Sequence, residues 1–205
     1  MISGKPTWWE SAKEFLSKDP QLYPLIQQYN DECLVGKGDL FSTFVNAIVG
    51  QQISVIAAEA IWNRLVAKVG SITPDNISKY SHDEIASCGL TKSKTSYILA
   101  VANSPEEFLS KNWAKMNDQE VHDHFVSFRG IGPWTAEMVL IFTLLRPDIL
   151  PLGDIGVLRS IESLYAGGER LPLEQIEAIA APWRPFRTVG TWYLWRHLDA
   201  EPVEY

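Results

Sequence analysis

Three groups of residues in this chain are of types that could do chemistry. The first is an acid, Asp154, closing the stretch "ILPLGD" immediately before an apolar helical run. A carboxylate there could stabilise a developing positive charge or orient a water. Aspartate is also among the best helix N-caps, and for an isolated aspartate in this setting the cap is the commoner reading. The second group is the glycine pair of "SFRGIGPWTAEMVL", Gly130 and Gly132 flanking Ile131. Gly130 sits where a helix commonly ends in a left-handed residue, and Pro133 suits the first turn of a new helix. Such a bend exposes bare main-chain N–H groups beside a helix N-terminus, a place that suits a phosphate. It reads equally as a plain corner between two helices. The third group is aromatic. In "APWRPFRTVGTWYLWRHL", Trp183, Trp192, Tyr193 and Trp195 accompany Arg184 and Arg187, with Trp192 and Trp195 on one helix face. Aromatics so spaced usually pack a core, although a pocket for a planar heterocycle needs the same walls.

The elements that must position these groups read as helices. Trp8–Leu16 and Leu22–Asn30 come first, followed by a glycine-bearing linker, "VGKGD". Phe41–Val49 is helical, and Ser54 caps a longer helix with Gly70 just past its end. "SHDE" (81–84) and "SPEE" (104–107) fit capping boxes. Asn117 or Asp118 opens the helix before the glycine bend, and Pro133–Leu145 forms the helix after it. A helix from Asp154 to Leu164 follows, then two more at about 173–180 and 184–198. No segment alternates as a strand. The expected fold class is all-α, with roughly ten helices.

The whole chain has 205 residues and 46% hydrophobic content, enough for one domain or two small lobes. Its net charge of −7 counts against broad, sequence-blind attachment to nucleic acid, though not against a local basic face. Arg129, Lys92, Lys94 and Arg187 are candidates for that face. Two cysteines, Cys33 and Cys88, are too few for a disulfide framework, a four-cysteine zinc site or an iron–sulfur cluster, and the four histidines form no ligand pattern. No metal or organic cofactor is expected. No apolar run is long enough to span a membrane, and "MISGKPTWWE" lacks the shape of a signal peptide, so no membrane partner or secretion is expected.

Taken together, these stretches resemble the helix-hairpin-helix DNA glycosylase superfamily (HhH-GPD), most closely its alkylation-repair, 3-methyladenine DNA glycosylase II branch. The resemblance rests on five segments in order: "FVNAIVGQQISVIAAEAIWNRL", "CGLTKSKTSYILAVA", "FRGIGPWTAEMV", "LPLGD" and "PWRPFRTVGTWYLWRHL". It implies two helical lobes with an active-site cleft between them. One lobe is 36–148, carrying the hairpin at about 118–145; the other is 1–35 plus 149–205. It places Asp154 as the catalytic acid, and Trp192, Trp134 and Tyr193 in the base pocket. Gly130, Gly132, Trp134, Thr135, Gln51, Gln52, Arg129 and Lys92 fall on the DNA-binding side, with Gln52 as the wedge that fills the gap left by a flipped nucleotide. Trp134 stands where lyase-active members carry a lysine, which implies a monofunctional enzyme. A monovalent cation on the hairpin carbonyls is a further implication.

The wedge here is polar rather than aliphatic, the iron–sulfur cysteines of the endonuclease branch are missing, and at this length the β-rich N-terminal domain of some bacterial members is not expected. The implied activity is hydrolysis of alkylated purines, of the 3-methyladenine and 7-methylguanine type, from duplex DNA. Deaminated or oxidised bases, or non-catalytic DNA binding on the same fold, are the alternatives. The expected partner is damaged double-stranded DNA and the expected state is a monomer. The expected location is the bacterial cytoplasm with the nucleoid, or the nucleus of a eukaryote.

Overall fold

A computed structural model describes residues 3–199. Among these residues the chain forms α1 (Trp9–Leu16), α2 (Leu22–Gln28), α3 (Leu40–Gly50), α4 (Val55–Val69), α5 (Pro74–Ile77), α6 (His82–Ala86) and α7 (Lys92–Asn103). Then come α8 (Pro105–Leu109), α9 (Asp118–Val126), α10 (Pro133–Phe142), α11 (Ile155–Ala166), α12 (Leu173–Ala180) and α13 (Arg187–Leu198). Among the described residues the fold is all-α apart from one antiparallel pairing of two-residue strands, β1 (Ser3–Gly4) with β2 (Gly36–Lys37), too short to leave an alternating pattern in the sequence. Among the described residues no helix is long and apolar enough to cross a membrane.

The chain divides into two compact units, with the boundary inside α10 between Val139 and Leu140. The first takes the chain up to Gly38 and again from Leu140 onward. Its centre is α13, buried continuously from Thr188 to Arg196 and packed by α11, α2 and α1. A helix enclosed on all sides carries no polar face, so periodicity alone does not say which neighbour each side chain meets. Trp9 meets Trp192 edge-on at 5.3 Å, and Trp192 meets Tyr193 at 5.0 Å. The buried hydroxyl of Ser160 on α11 donates to the Leu194 carbonyl of α13 at 2.6 Å. Arg196, 3% exposed, is held by Glu32 at 2.9 Å and lies over the Tyr29 ring, so its charge is paired as a buried charge must be.

Gly190 lets α13 lie flat on Trp183, because a methyl added there would fall 2.7 Å from the ring. Gly190→Ala is therefore expected to destabilise this unit by about 1–3 kcal/mol, read from the urea midpoint. An unchanged midpoint would show that the ring has room to retreat.

The second unit, Asp39–Val139, holds α3 to α9 and most of α10 around Phe44, Phe108 and Phe125. Its helices begin where capping chemistry puts them. Asp39 accepts from Ser42 N–H and Ser54 from Ala57 N–H, while Ser81/Glu84 and Asn117/Glu120 form complete capping boxes. The box expected at "SPEE" does not form. The Ser104 side chain makes no capping bond, because that serine also ends α7 and lacks the extended geometry of a cap; Pro105 does open α8 as expected. Two helices, α5 and α7, go beyond the expected set, each starting at a capping threonine, Thr73 or Thr91. α10 stops at Phe142 rather than Leu145, where Leu145 turns left-handed (φ 51°) and Arg146 N–H closes back on the Leu140 carbonyl. α13 begins at Arg187 rather than Arg184, after a short turn of 3-10 helix at Ala181–Trp183.

Candidate active site

In the first unit, the acid is presented by a short turn. Asp154 N–H bonds the Pro151 carbonyl at 3.0 Å, which brings the residue to the mouth of α11. There Asp154 is the N-cap, its Oδ1 accepting from Val157 N–H at 3.0 Å. A second donor reaches the same oxygen, Trp195 Nε1–H from α13 at 3.3 Å. The side chain is half-buried, with exposed Gly153 and Ile155 on either side. The positive end of α11 and these two N–H donors make this a favourable place for negative charge.

The Phe142 ring lies nearly parallel to Trp195, 16° between planes and 5.6 Å between centroids, so the acid stands beside a stacked aromatic pair. Gly156 makes room for the arrangement. A Cβ there would come to 3.0 Å from Asp154 Oδ1 and within 3.6 Å of Trp195.

In the second unit, the bend after α9 requires its first glycine twice over. Gly130 adopts φ +90°, and the Tyr97 ring lies so close that a Cβ would sit 2.0 Å from it. Gly132 has the opposite surroundings, with nothing within 4 Å of where a Cβ would be. Its carbonyl accepts from Ala136 N–H to begin α10 behind Pro133. The result is open main chain at the positive end of a helix, the geometry that binds anions.

Across from the hairpin, the loop from α3 to α4 is tied to it. Gln51 Nε2 donates to the Gly130 carbonyl at 3.2 Å and to Thr135 Oγ1 at 3.0 Å. Gln52 follows, exposed and left-handed at φ 57°. That conformation costs a residue with a side chain about 1–2 kcal/mol, so the surroundings must enforce it.

A family model described as HhH-GPD superfamily base excision DNA repair protein matches residues 45–185. The chain belongs to the HhH-GPD superfamily. It is 28% identical over 199 residues to a DNA-3-methyladenine glycosylase of Bacillus subtilis, covering 90% of this chain and 66% of that one. It is 29% identical over 190 residues to DNA-3-methyladenine glycosylase 1 of Schizosaccharomyces pombe, covering 86% and 80%. Among solved structures, a 3-methyladenine DNA-glycosylase from Archaeoglobus fulgidus matches with a TM-score of 0.81 at 27% identity, covering 92% of this chain and 68% of that one. The chain thus spans about two thirds of the length of the bacillar and archaeal proteins.

Within this HhH-GPD chain, Asp154 is a half-buried N-cap and Gly132 leaves the main chain of the bend open. Trp134 is half-buried in the first turn of α10, and Arg129 and Lys92 are exposed. Other assignments move. Trp192, 3% exposed, and Tyr193, fully buried, are built into the core against Trp9, which leaves them no open face for a base. The aromatic beside Asp154 is Trp195, one helical turn further along α13. Thr135 is 2% exposed, and its hydroxyl, like the Gln51 carboxamide, is spent inside the protein rather than presented to a ligand. The Gly130 carbonyl of the hairpin accepts from Gln51. Among the described residues no group of His, Cys, Asp or Glu is placed to hold a metal.

Two members of the expected basic face are also consumed internally. Arg187 grips Asp148 at 2.6 Å, and Lys94 donates to two main-chain carbonyls. The role of Gly156 was open to a reading of "GDIG", where a second glycine just inside a helix signals a close approach.

Proposed function

We propose that this chain is a monofunctional DNA glycosylase of base excision repair that removes alkylated purines from duplex DNA. The observation that carries the reading is the Asp154 carboxylate, held at the N-terminus of α11 beside the Trp195–Phe142 pair. The relatives' names support the substrate class.

A base inside the stack is out of reach, so the nucleotide swings out, at a cost of about a few kcal/mol that is smallest for weakened pairs. The hairpin N–H groups hold phosphate as a positional grip without reading sequence. Gln52 fills the vacated space. A purine alkylated at N3 or N7 is cationic, which favours an aromatic wall in the pocket that receives it. The bond from C1′ to the base nitrogen then breaks with its electron pair going to the base, which leaves neutral without a proton. Positive charge grows on the sugar, and the Asp154 anion stabilises it. Water adds to C1′ and gives up its proton, with Asp154 in place to orient it. Trp134 has no amine to form a Schiff base, so the strand stays intact. The enzyme acts as a monomer wherever the genome is housed.

The test is a lesion panel. Purified protein should release free 3-methyladenine and 7-methylguanine from methylated duplex and leave the strand uncut until heated in alkali. Release confined to deaminated or oxidised bases would overturn the substrate class. Salt-sensitive binding with no release from any lesion would make the chain a binder only.

Gly156→Ala gives a finer check. Crowding Asp154 Oδ1 should lower single-turnover release on the order of tenfold, with the melting temperature little changed. Full activity would mean that the carboxylate tolerates displacement.

A further inference from the structure

The reaction above leaves the half-buried Lys94 without a task. The Lys94 ammonium, on α7, donates to the carbonyls of Val49 at 2.9 Å and Gln51 at 2.8 Å. Those oxygens lie at the end of α3, where a helix runs out of internal donors. Partial burial pushes the Lys94 amine below its ordinary value. Gln51 is therefore held at both ends. Lys94 takes its carbonyl, while the hairpin takes its carboxamide through Gly130 O and Thr135 Oγ1. The next residue is Gln52, exposed and in the left-handed region that a side chain adopts only when its neighbours over-determine it.

We propose that Lys94 is a positioning residue which, through Gln51, fixes Gln52 as a preformed wedge on the same frame as the phosphate-gripping hairpin. It touches neither the base nor the sugar. Holding the loop in its working shape in advance removes an ordering cost that would otherwise fall on the step of nucleotide extrusion. The inference rests on the glycosylase reading for its substrate, but its first readout does not require chemistry. The alternative is a plain helix cap, which would stabilise α3 and affect every substrate alike.

The test uses the full chain with Lys94→Met, which keeps the length of the side chain and removes its donors. In the first measurement, protein binds a duplex carrying a tetrahydrofuran abasic analogue beside 2-aminopurine. Wedge insertion unstacks the reporter and raises its fluorescence. Lys94→Met should reduce that rise severalfold at saturating protein, and Asp154→Asn should leave it intact. In the second, single-turnover release of 7-methylguanine should fall about tenfold from a fully paired duplex, with little change for the same lesion in an unpaired bubble. Lys94→Met should cost nothing further in a Gln52→Ala background, since it acts through that residue.

Equal losses on paired and unpaired lesions, additivity with Gln52→Ala, or an unchanged fluorescence rise would each overturn the proposal and leave a simple cap. If Lys94→Met does not fold, Gln51→Leu breaks the other half of the clasp and carries the same expectations. Absence of base release by the wild-type protein, with the fluorescence rise and its Lys94 dependence present, would count against the glycosylase reading and not against this one.

Discussion

Asp154→Asn is expected to lower single-turnover release of alkylated purine by roughly 10²–10³-fold, the usual cost of losing one preorganised electrostatic group. The same substitution should leave the fold almost untouched. Asparagine is as good an N-cap as aspartate, and its side-chain oxygen can still accept from Val157 N–H. The two roles of Asp154 therefore separate in one variant. A residue serving only as a cap would lose neither stability nor rate. A residue serving as the anion opposite the sugar loses rate alone. The measurement is a pair of values from one preparation, a melting temperature and a rate of base release. Asp154→Ala should lose both, because it removes the cap as well as the charge, at about 1 kcal/mol for the cap.

The second large effect belongs to the hairpin. Gly132→Asp should weaken binding to abasic-site duplex by about tenfold to a hundredfold without unfolding the protein. Nothing lies within 4 Å of a Cβ at Gly132, so the side chain fits; it sets a carboxylate where a phosphate would approach. Losing one charge-assisted hydrogen bond to phosphate is worth about 1.5–3 kcal/mol, and like charges add to the loss. Gly130→Ala is expected to behave differently. Its Cβ would fall 2.0 Å from the Tyr97 ring in a backbone region that alanine avoids. That variant should lose stability first and binding as a consequence. If Gly132→Asp bound DNA as wild type does, the open main chain of the bend would be a helix corner and nothing more.

The candidate residues that could be read from the chain are those set by local backbone chemistry. A glycine that ends a helix, a proline that begins the next and an acid at a helix mouth are each fixed by a few neighbouring residues. Asp154, Gly130 and Gly132 were legible for that reason, as were the caps at Ser54, Ser81 and Asn117. What could not be read depends on contacts far apart in sequence. The Lys94 clasp joins α7 to a loop more than forty residues earlier, and a lysine in a helix usually faces water. The choice between Trp192 and Trp195 was hidden for another reason. α13 is enclosed on every side, so its apolar residues carry no stripe to show which tryptophan meets Asp154 and which meets Trp9.

The distribution of charge follows the same division. An overall balance of −7 does not describe the surface offered to a polyanion. Of the four cations considered for that surface, Arg129 and Lys92 are exposed, whereas Arg187 neutralises Asp148 and Lys94 braces a loop. Under the proposed function, the hairpin main chain has correspondingly more of the gripping to do.

The role proposed for Asp154 is electrostatic, an anion at the mouth of α11 facing positive charge on a sugar. Its most direct test compares two uncleavable abasic analogues in duplex DNA, a neutral tetrahydrofuran and a cationic pyrrolidine of the same shape. The wild-type protein should bind the cationic form about tenfold tighter or more, and Asp154→Asn should bind the two alike. An equal preference for the cation in both proteins would contradict the assignment of Asp154.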